Sequence, residues 1–110
     1  MNFKGTLPTL ILETLVREPS HGYRIAQEIK ERSEGVLDFK EGTLYPALHK
    51  LENEGFVSAI WIPQEGKPPR KVYAITDEGR LELSKHQKAW TAFSVGVEAL
   101  LKPQMEAAGG

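Results

Sequence analysis

The hydrophobic positions of this chain change their period partway along it. Between Thr6 and Arg17, Leu7, Leu10, Ile11, Thr14 and Leu15 recur at helical spacing on one face, which predicts a first helix over that span. Pro8 falls in the first turn, where amides have no intrahelical partner. Pro19 ends the helix, because a proline disfavours helical geometry in the residue before it, here Glu18. Ser20 reads as the N-cap of a second helix reaching about Ser33, with Ile25, Ala26 and Ile29 as its buried stripe and Gly35 closing it. A third helix is expected between Lys40 and Asn53, with Leu44, Ala47, Leu48 and Leu51 clustered on one side and Gly55 just past its end. Then β-branched and aromatic residues take over from Phe56 to Ile62 and from Val72 to Ile75, predicting two strands. Pro63 to Pro69 between them reads as a loop or a long hairpin tip. Thr76-Asp77 caps a last helix from Glu78 to about Leu101, which Lys102-Pro103 ends.

That order of elements (three helices, a strand, a long hairpin, a strand, a helix) is the order of a winged helix-turn-helix with one additional long C-terminal helix. The fold class expected is therefore α+β, mainly α, although other small α+β domains share the order. At 110 residues there is room for one core. Residues 1–76 are expected to form a winged-helix DNA-binding domain, 77–102 a dimerisation helix, and 103–110 a flexible tail. The absence of cysteine excludes disulfide staples and thiolate metal sites. No apolar run approaches the roughly 18 residues that cross a bilayer, and Met1-Asn2-Phe3-Lys4-Gly5 lacks the pattern of an export signal. A cytoplasmic protein with no membrane partner is the expectation.

Net charge is -1, so a nucleic-acid partner must be argued from where charges sit, since local fields steer association. With Leu44, Leu48 and Leu51 turned inward, the third helix presents Gly42, Tyr45, Pro46, His49, Lys50 and Asn53 on its other side. A phenol, an imidazole, an ammonium and an amide are groups that a major groove can use. Gly42 lets the helix start come close to DNA, and Thr43 with nearby backbone amides could hold a phosphate. An ordinary solvated helix face would read the same way. The hairpin supplies the local charge that the whole chain lacks. Lys67, Arg70 and Lys71 place three cations within five residues, against one nearby carboxylate, Glu65. Such wing cations bind phosphate or the minor groove and add affinity more than sequence reading. Pro68-Pro69 stiffens the tip.

Glu41-Gly42-Thr43-Leu44-Tyr45-Pro46-Ala47-Leu48-His49-Lys50-Leu51-Glu52-Asn53-Glu54-Gly55 resembles the signature of the PadR family of bacterial transcriptional regulators, in which this segment is the recognition helix. His21-Gly22-Tyr23 is similar to the family's start of the second helix. Arg70-Lys71-Val72-Tyr73-Ala74-Ile75-Thr76-Asp77-Glu78-Gly79 is similar to its wing strand and the turn into the last helix. The three blocks stand in the right order, and the likeness runs roughly from Phe3 to Leu101. It implies a regulator, a repressor by expectation, that binds double-stranded DNA through Lys40, Gly42, Thr43, Tyr45, Pro46, His49, Lys50, Lys67, Arg70 and Lys71. Lys40 stands where the family pattern often has serine or asparagine; lysine caps a helix less well but adds a charge beside the DNA. Pro46 removes one helical hydrogen bond, to the carbonyl of Gly42, close enough to the helix start to be tolerated.

In the last helix Leu83, Trp90 and Val97 are spaced by sevens, and His86, Phe93 and Leu100 fall three residues after each. That heptad seam is long enough for a helix pair. Its partner is expected to be a second copy of the chain, so that the protein reads an inverted repeat as a homodimer. Packing against the first helix of the same chain is the alternative. The resemblance points to dimerisation, since short PadR-like proteins pair through one C-terminal helix per subunit. In multidrug-sensing relatives a tryptophan at the position matching Trp90 lines a pore at the dimer interface. The expected effector is a small planar hydrophobic molecule held by Trp90, Phe93 and Val97, while plain packing of Trp90 in the seam is the alternative. Ser94 stands where those relatives can carry an acidic residue. Catalysis finds no support: His21, His49 and His86 are far apart in sequence, and no phosphate loop, nucleophile elbow or metal motif is present. No enzyme activity, cofactor or metal is expected. A protein-interaction module is the competing class, and the basic wing with outward Tyr45 and His49 is what argues against it.

Overall fold

Four helices and a small antiparallel sheet are built around one buried helix. The computed structural model describes residues 3–102, and the tail expected over 103–110 lies outside them. Helix α1 (Phe3–Arg17) starts three residues earlier than its apolar period suggested. Leu7, Ile11, Leu12 and Leu15 are all buried. Leu12 thus widens the single stripe read from the sequence, as befits a helix packed on more than one side. The buried Thr14 hydroxyl donates to the Ile11 carbonyl at 2.8 Å, so no polar group is left unsatisfied there. Around α1 the core is completed by Ile25 and Ile29 from α2 (Gly22–Arg32), Leu44, Leu48 and Leu51 from α3 (Glu41–Asn53), Val57 from β2 (Val57–Gln64), Tyr73 from β3 (Lys67–Ile75) and Leu83 from α4 (Asp77–Leu101).

The turn that sets α3 against α2 is sharp. Glu34 and Gly35 both take positive φ, 54° and 82°, and the Gly35 amide donates back to the Lys30 carbonyl at 2.8 Å. Ser33 Oγ accepts from the Leu37 amide at 2.9 Å, holding the chain as it enters α3.

Two expectations are corrected in the sheet. Ser20 does not cap α2. It is buried and forms, with His21, a short strand β1 (Ser20–His21) paired antiparallel with β3, opposite Tyr73. The cap is His21, whose Nδ1 accepts from the Arg24 amide at 3.3 Å. A strand of two residues has no period for the eye to find, which is why the third strand escaped the sequence. The second concerns the span from Pro63 to Pro69, expected as a loop or a long hairpin tip; it is a hairpin, but with a much shorter tip. The strands run through it, and only Glu65-Gly66 turns, with Gly66 at φ 69°. Prolines survive there because the pairing register slips between Ile62 and Gln64, and a ladder irregularity has no use for the N–H that proline lacks. The sheet order is β1-β3-β2.

The joint between β3 and α4 is tight. Thr76 Oγ1 donates to the Gly55 carbonyl at 2.7 Å and accepts from the Gly79 amide at 3.0 Å, capping α4 as expected. A Cβ at the buried Gly79 would overlap the Phe56 carbonyl oxygen, so the first turn of α4 rests directly on backbone. Beyond Leu83 the helix leaves the core. The radius of gyration is 17.6 Å and the longest extent 70 Å, against a radius of about 13 Å for a compact chain of this length. Lys102, with ψ 135°, ends the helix in the extended geometry that suits the residue before a proline.

Candidate nucleic-acid interface

Helix α3 turns Leu44, Leu48 and Leu51 into the core. As its period then requires, Gly42, Pro46, His49, Lys50 and Asn53 are exposed. Lys40 is the N-cap residue, without a side-chain cap bond; its carbonyl accepts from the Thr43 and Leu44 amides at 2.9 Å. Pro46 sits within the helix without breaking it. Tyr45 differs from its expectation. It was read as standing clear of the packed interior, but it is partly buried against the core. Its ring lies over Gly22, so close that a Cβ there would come within 2.8 Å of it. Burial is the main cause that raises the Tyr45 pKa, followed by Glu41 and Tyr73, so the phenol stays a neutral donor and acceptor.

The start of α2, the outward side of α3 and the inner face of the hairpin enclose a groove of about 520 Å³ lined by His21, Gly22, Tyr23, Tyr45, His49, Trp61, Arg70, Lys71 and Tyr73. Of the residues read as DNA contacts, Tyr45, His49, Arg70 and Lys71 meet in it. Lys40, Gly42, Thr43, Pro46, Lys50 and Lys67 lie outside it, along α3 and at the hairpin tip. His21, Tyr23, Trp61 and Tyr73 are groove walls that sequence reasoning did not select. For Trp61 a signal existed. Period-two alternation from the buried Val57 through Ala59 puts Trp61 on the same sheet face.

Charge in the groove is local. The His21 pKa is lowered, first by burial and then by the Arg70 and Arg24 guanidinium groups. With its amide set by its neighbours, Gln64 donates to the Pro68 carbonyl and accepts from Arg70 Nε, each at 3.1 Å. That holds the arginine against the hairpin. Lys71 is engaged differently. Its Nζ lies 3.0 Å from Glu52 Oε1 on α3, and this hydrogen bond is the main cause that raises its pKa.

On the far side of the molecule α4 divides into two stretches. Leu83 is buried in the chain's own core. His86 Nδ1 lies 2.7 Å from Thr9 Oγ1, and Gln87 donates to Glu13 at 2.8 Å. The first third of the heptad seam is thus packed on α1, as the intrachain alternative had it. From Trp90 onward the seam is largely open. Trp90 is 45% exposed and Leu100 81%, Phe93 stands beside Trp90 with ring centres 5.8 Å apart, and Val97 is partly buried. Trp90 and Phe93 border an apolar cavity of about 850 Å³ whose other walls include Leu10, Val36 and Leu37. Among the described residues no His, Cys, Asp and Glu cluster could hold a metal ion, and no helix is long and apolar enough to cross a membrane.

Residues 11–85 match the sequence profile of the Transcriptional regulator PadR-like family. The chain belongs to the PadR family. A PadR family transcriptional regulator from Eggerthella lenta superposes with a TM-score of 0.78 at 34% identity, over 92% of this chain and 86% of that one. The negative transcriptional regulator PadR of Bacillus subtilis is 36% identical over 73 residues, which are 66% of this chain and 40% of that protein. This chain therefore spans well under half of that relative's length. The crystal structure of Bacillus subtilis PadR in complex with operator DNA superposes with a TM-score of 0.69 at 33% identity, over 74% of this chain and 46% of that one. Its PadR membership places the chain among transcriptional regulators rather than enzymes.

Proposed function

We propose that this PadR-family regulator is a cytoplasmic repressor that binds an inverted repeat as a homodimer and is released by a small planar hydrophobic effector. The observation that carries the DNA reading is the convergence of α3 and the hairpin on one groove, where Tyr45 and His49 meet Arg70. The Bacillus relative solved on operator DNA supports the same reading. On this reading, α3 of the present chain enters the major groove with Gly42, Thr43, Tyr45, Pro46, His49 and Lys50 toward the duplex. Lys40, Lys67 and Arg70 supply phosphate contacts.

The uncovered stretch of α4 supports the dimer. Trp90, Phe93, Val97 and Leu100 continue the seam beyond the protomer's own packing, and a second copy offers the same surface in return. Pairing there sets the two α3 helices about one DNA turn apart, which demands two-fold symmetric half-sites. The cavity beside Trp90 and Phe93 suits a flat apolar ligand. Such a ligand lowers DNA affinity only by preferring a dimer geometry in which the α3 helices are misplaced.

A gel-shift on the upstream region of the protein's own gene, with light scattering on the free protein, tests the core of this reading. A retarded duplex with a repeat protected from cleavage, and a mass of two chains at micromolar concentration, are expected. A protein that is strictly monomeric, or that shifts no duplex at low salt, would end it.

A further inference from the structure

The three hairpin cations are not equivalent once folded. Lys67 and Arg70 are exposed, and among the described residues neither takes part in a salt bridge. Lys71 is partly buried and engaged within the chain. Its side chain is 23% exposed, its Nζ is 3.0 Å from Glu52 Oε1, and it lies over two rings, 5.2 Å from the centre of Tyr73 and 5.8 Å from that of Trp61. Moving Lys71 to a phosphate would break all of these contacts and leave the Glu52 carboxylate unneutralised beside the DNA backbone, a like-charge arrangement. Trp61 is the reverse case. It is the largest kind of apolar side chain, yet it is 65% exposed at the groove, beside its cross-strand partner Lys71 on the same sheet face, with Arg70 and His49 also bordering the groove. A residue kept for the core would not stand there, because the core face of β2 is already filled by Val57 and Ala59.

We infer that Trp61 is a DNA-contacting residue of the wing and that Lys71 is its support, a strut from Glu52 on α3 that fixes the height of the indole and does not touch phosphate. The indole has what a duplex edge needs: a flat apolar face for sugar or thymine methyl, and one N–H to donate to a phosphate oxygen. The cation beneath it makes the face of the ring a fixed platform. Duplex DNA is the occupant because the groove combines this platform with Arg70, whose charge no carboxylate among the described residues neutralises, and the hydrogen-bonding groups of Tyr45 and His49. The inference rests on the DNA reading above and adds to it a contact and a division of labour.

The test uses the full chain, whose two tryptophans are Trp61 and Trp90. Wild type, Trp61→Phe, Trp61→Ala, Lys71→Met and Arg70→Ala are titrated with a duplex from the upstream region of the protein's own gene and with a mixed-sequence duplex at low salt. Methionine keeps an aliphatic stem between the two rings, and phenylalanine keeps an apolar ring on the strand, so both variants should stay folded. DNA should change the emission of the wild type and leave that of Trp61→Phe unchanged. Trp61→Ala should bind about tenfold more weakly, the scale of an interface aromatic, at an unchanged dependence on salt. Arg70→Ala should lower the log-log salt slope by about 0.9, as one lost phosphate contact does, while Lys71→Met weakens binding and keeps the slope. The same emission change in Trp61→Phe as in wild type would remove the indole from the interface. A slope lowered by about 0.9 in Lys71→Met would put Lys71 on a phosphate. A wild type that binds neither duplex fails earlier, by overturning the DNA reading itself.

Discussion

Two concave surfaces of this molecule follow opposite rules. The groove between α3 and the hairpin is small, about 520 Å³, and each of its walls is braced within the chain. Gly22 seats Tyr45, Glu52 holds Lys71, and Gln64 holds Arg70. The cavity under α4 is larger, about 850 Å³, and lined by apolar groups that nothing among the described residues covers from outside. A charged, braced groove is complete as it stands and needs only a ligand of complementary charge. An apolar surface on an outstretched helix is unfavourable in water until something covers it. The first surface thus has the build of a reading head, and the second that of half an interface.

The same substitution made on either side of that divide should act with opposite sign, and this is the largest expected effect. Gly79 and Gly96 both lie in α4. At Gly79 an added methyl meets the Phe56 carbonyl and the Ile75 side chain, whereas at Gly96 it meets nothing within 4 Å. Gly79→Ala should therefore lose about 3 kcal/mol, the upper end of the usual overpacking range. Gly96→Ala should gain up to about 1 kcal/mol from helix propensity. Chemical denaturation of both variants checks the pair. A Gly79→Ala protein as stable as wild type would break the contrast, because α4 would then not be rigidly seated. A loss at Gly96 would sharpen it, by placing the backbone of a second chain against the outer half of the helix.

How far the sequence revealed these two regions depended on whether a residue's role is set by its own helix or by a distant segment. Leu44, Leu48 and Leu51 follow a period of their own, so the orientation of α3 was legible, and so was the α4 cap at Thr76. Ser20 and His21 were not, because pairing with Tyr73 and Val72, some fifty residues away, decides their conformation. The hairpin prolines left loop and long hairpin tip both open, because a register slip that tolerates them leaves no local mark. Lys71 looked like its neighbours Lys67 and Arg70 until Glu52, on another element, was seen beside it. Heptad spacing found the α4 seam but could not show where α1 stops covering it; the His86–Thr9 contact shows that.

Trp90→Ala comes next in size and bears on the uncovered half. If Trp90 anchors a pair of α4 helices, the melting temperature of the wild type should rise with protein concentration, since association stabilises the folded state by mass action. In the variant that dependence should largely vanish, together with any quenching by planar dyes. A variant that keeps the concentration dependence and loses only dye quenching would leave dimerisation to Phe93, Val97 and Leu100, and Trp90 to the ligand. Loss of about 3–5 kcal/mol at every concentration would instead mark Trp90 as packed core within one chain, which its exposure argues against.

The smallest effect belongs to the braced groove and depends on pH. His21 caps α2 through Nδ1, which can accept the Arg24 amide only while unprotonated. Its pKa is lowered from 6.5 by burial, then by Arg70 and Arg24, so below 6.5 the unfolded chain binds this proton more readily than the folded one. The stability contributed by the neutral ring is therefore fully present above 6.5 and falls away as pH drops through that value toward the lowered folded pKa. His21→Asn keeps a good N-cap but has nothing to titrate. Between pH 8 and pH 5.5 the wild type should lose melting temperature that His21→Asn retains, measured at a protein concentration high enough to hold the oligomeric state constant. Parallel pH profiles for the two proteins would mean that protonation costs the folded state nothing, and that the ring, although set among two arginines, does not depend on its neutral form to hold the start of α2.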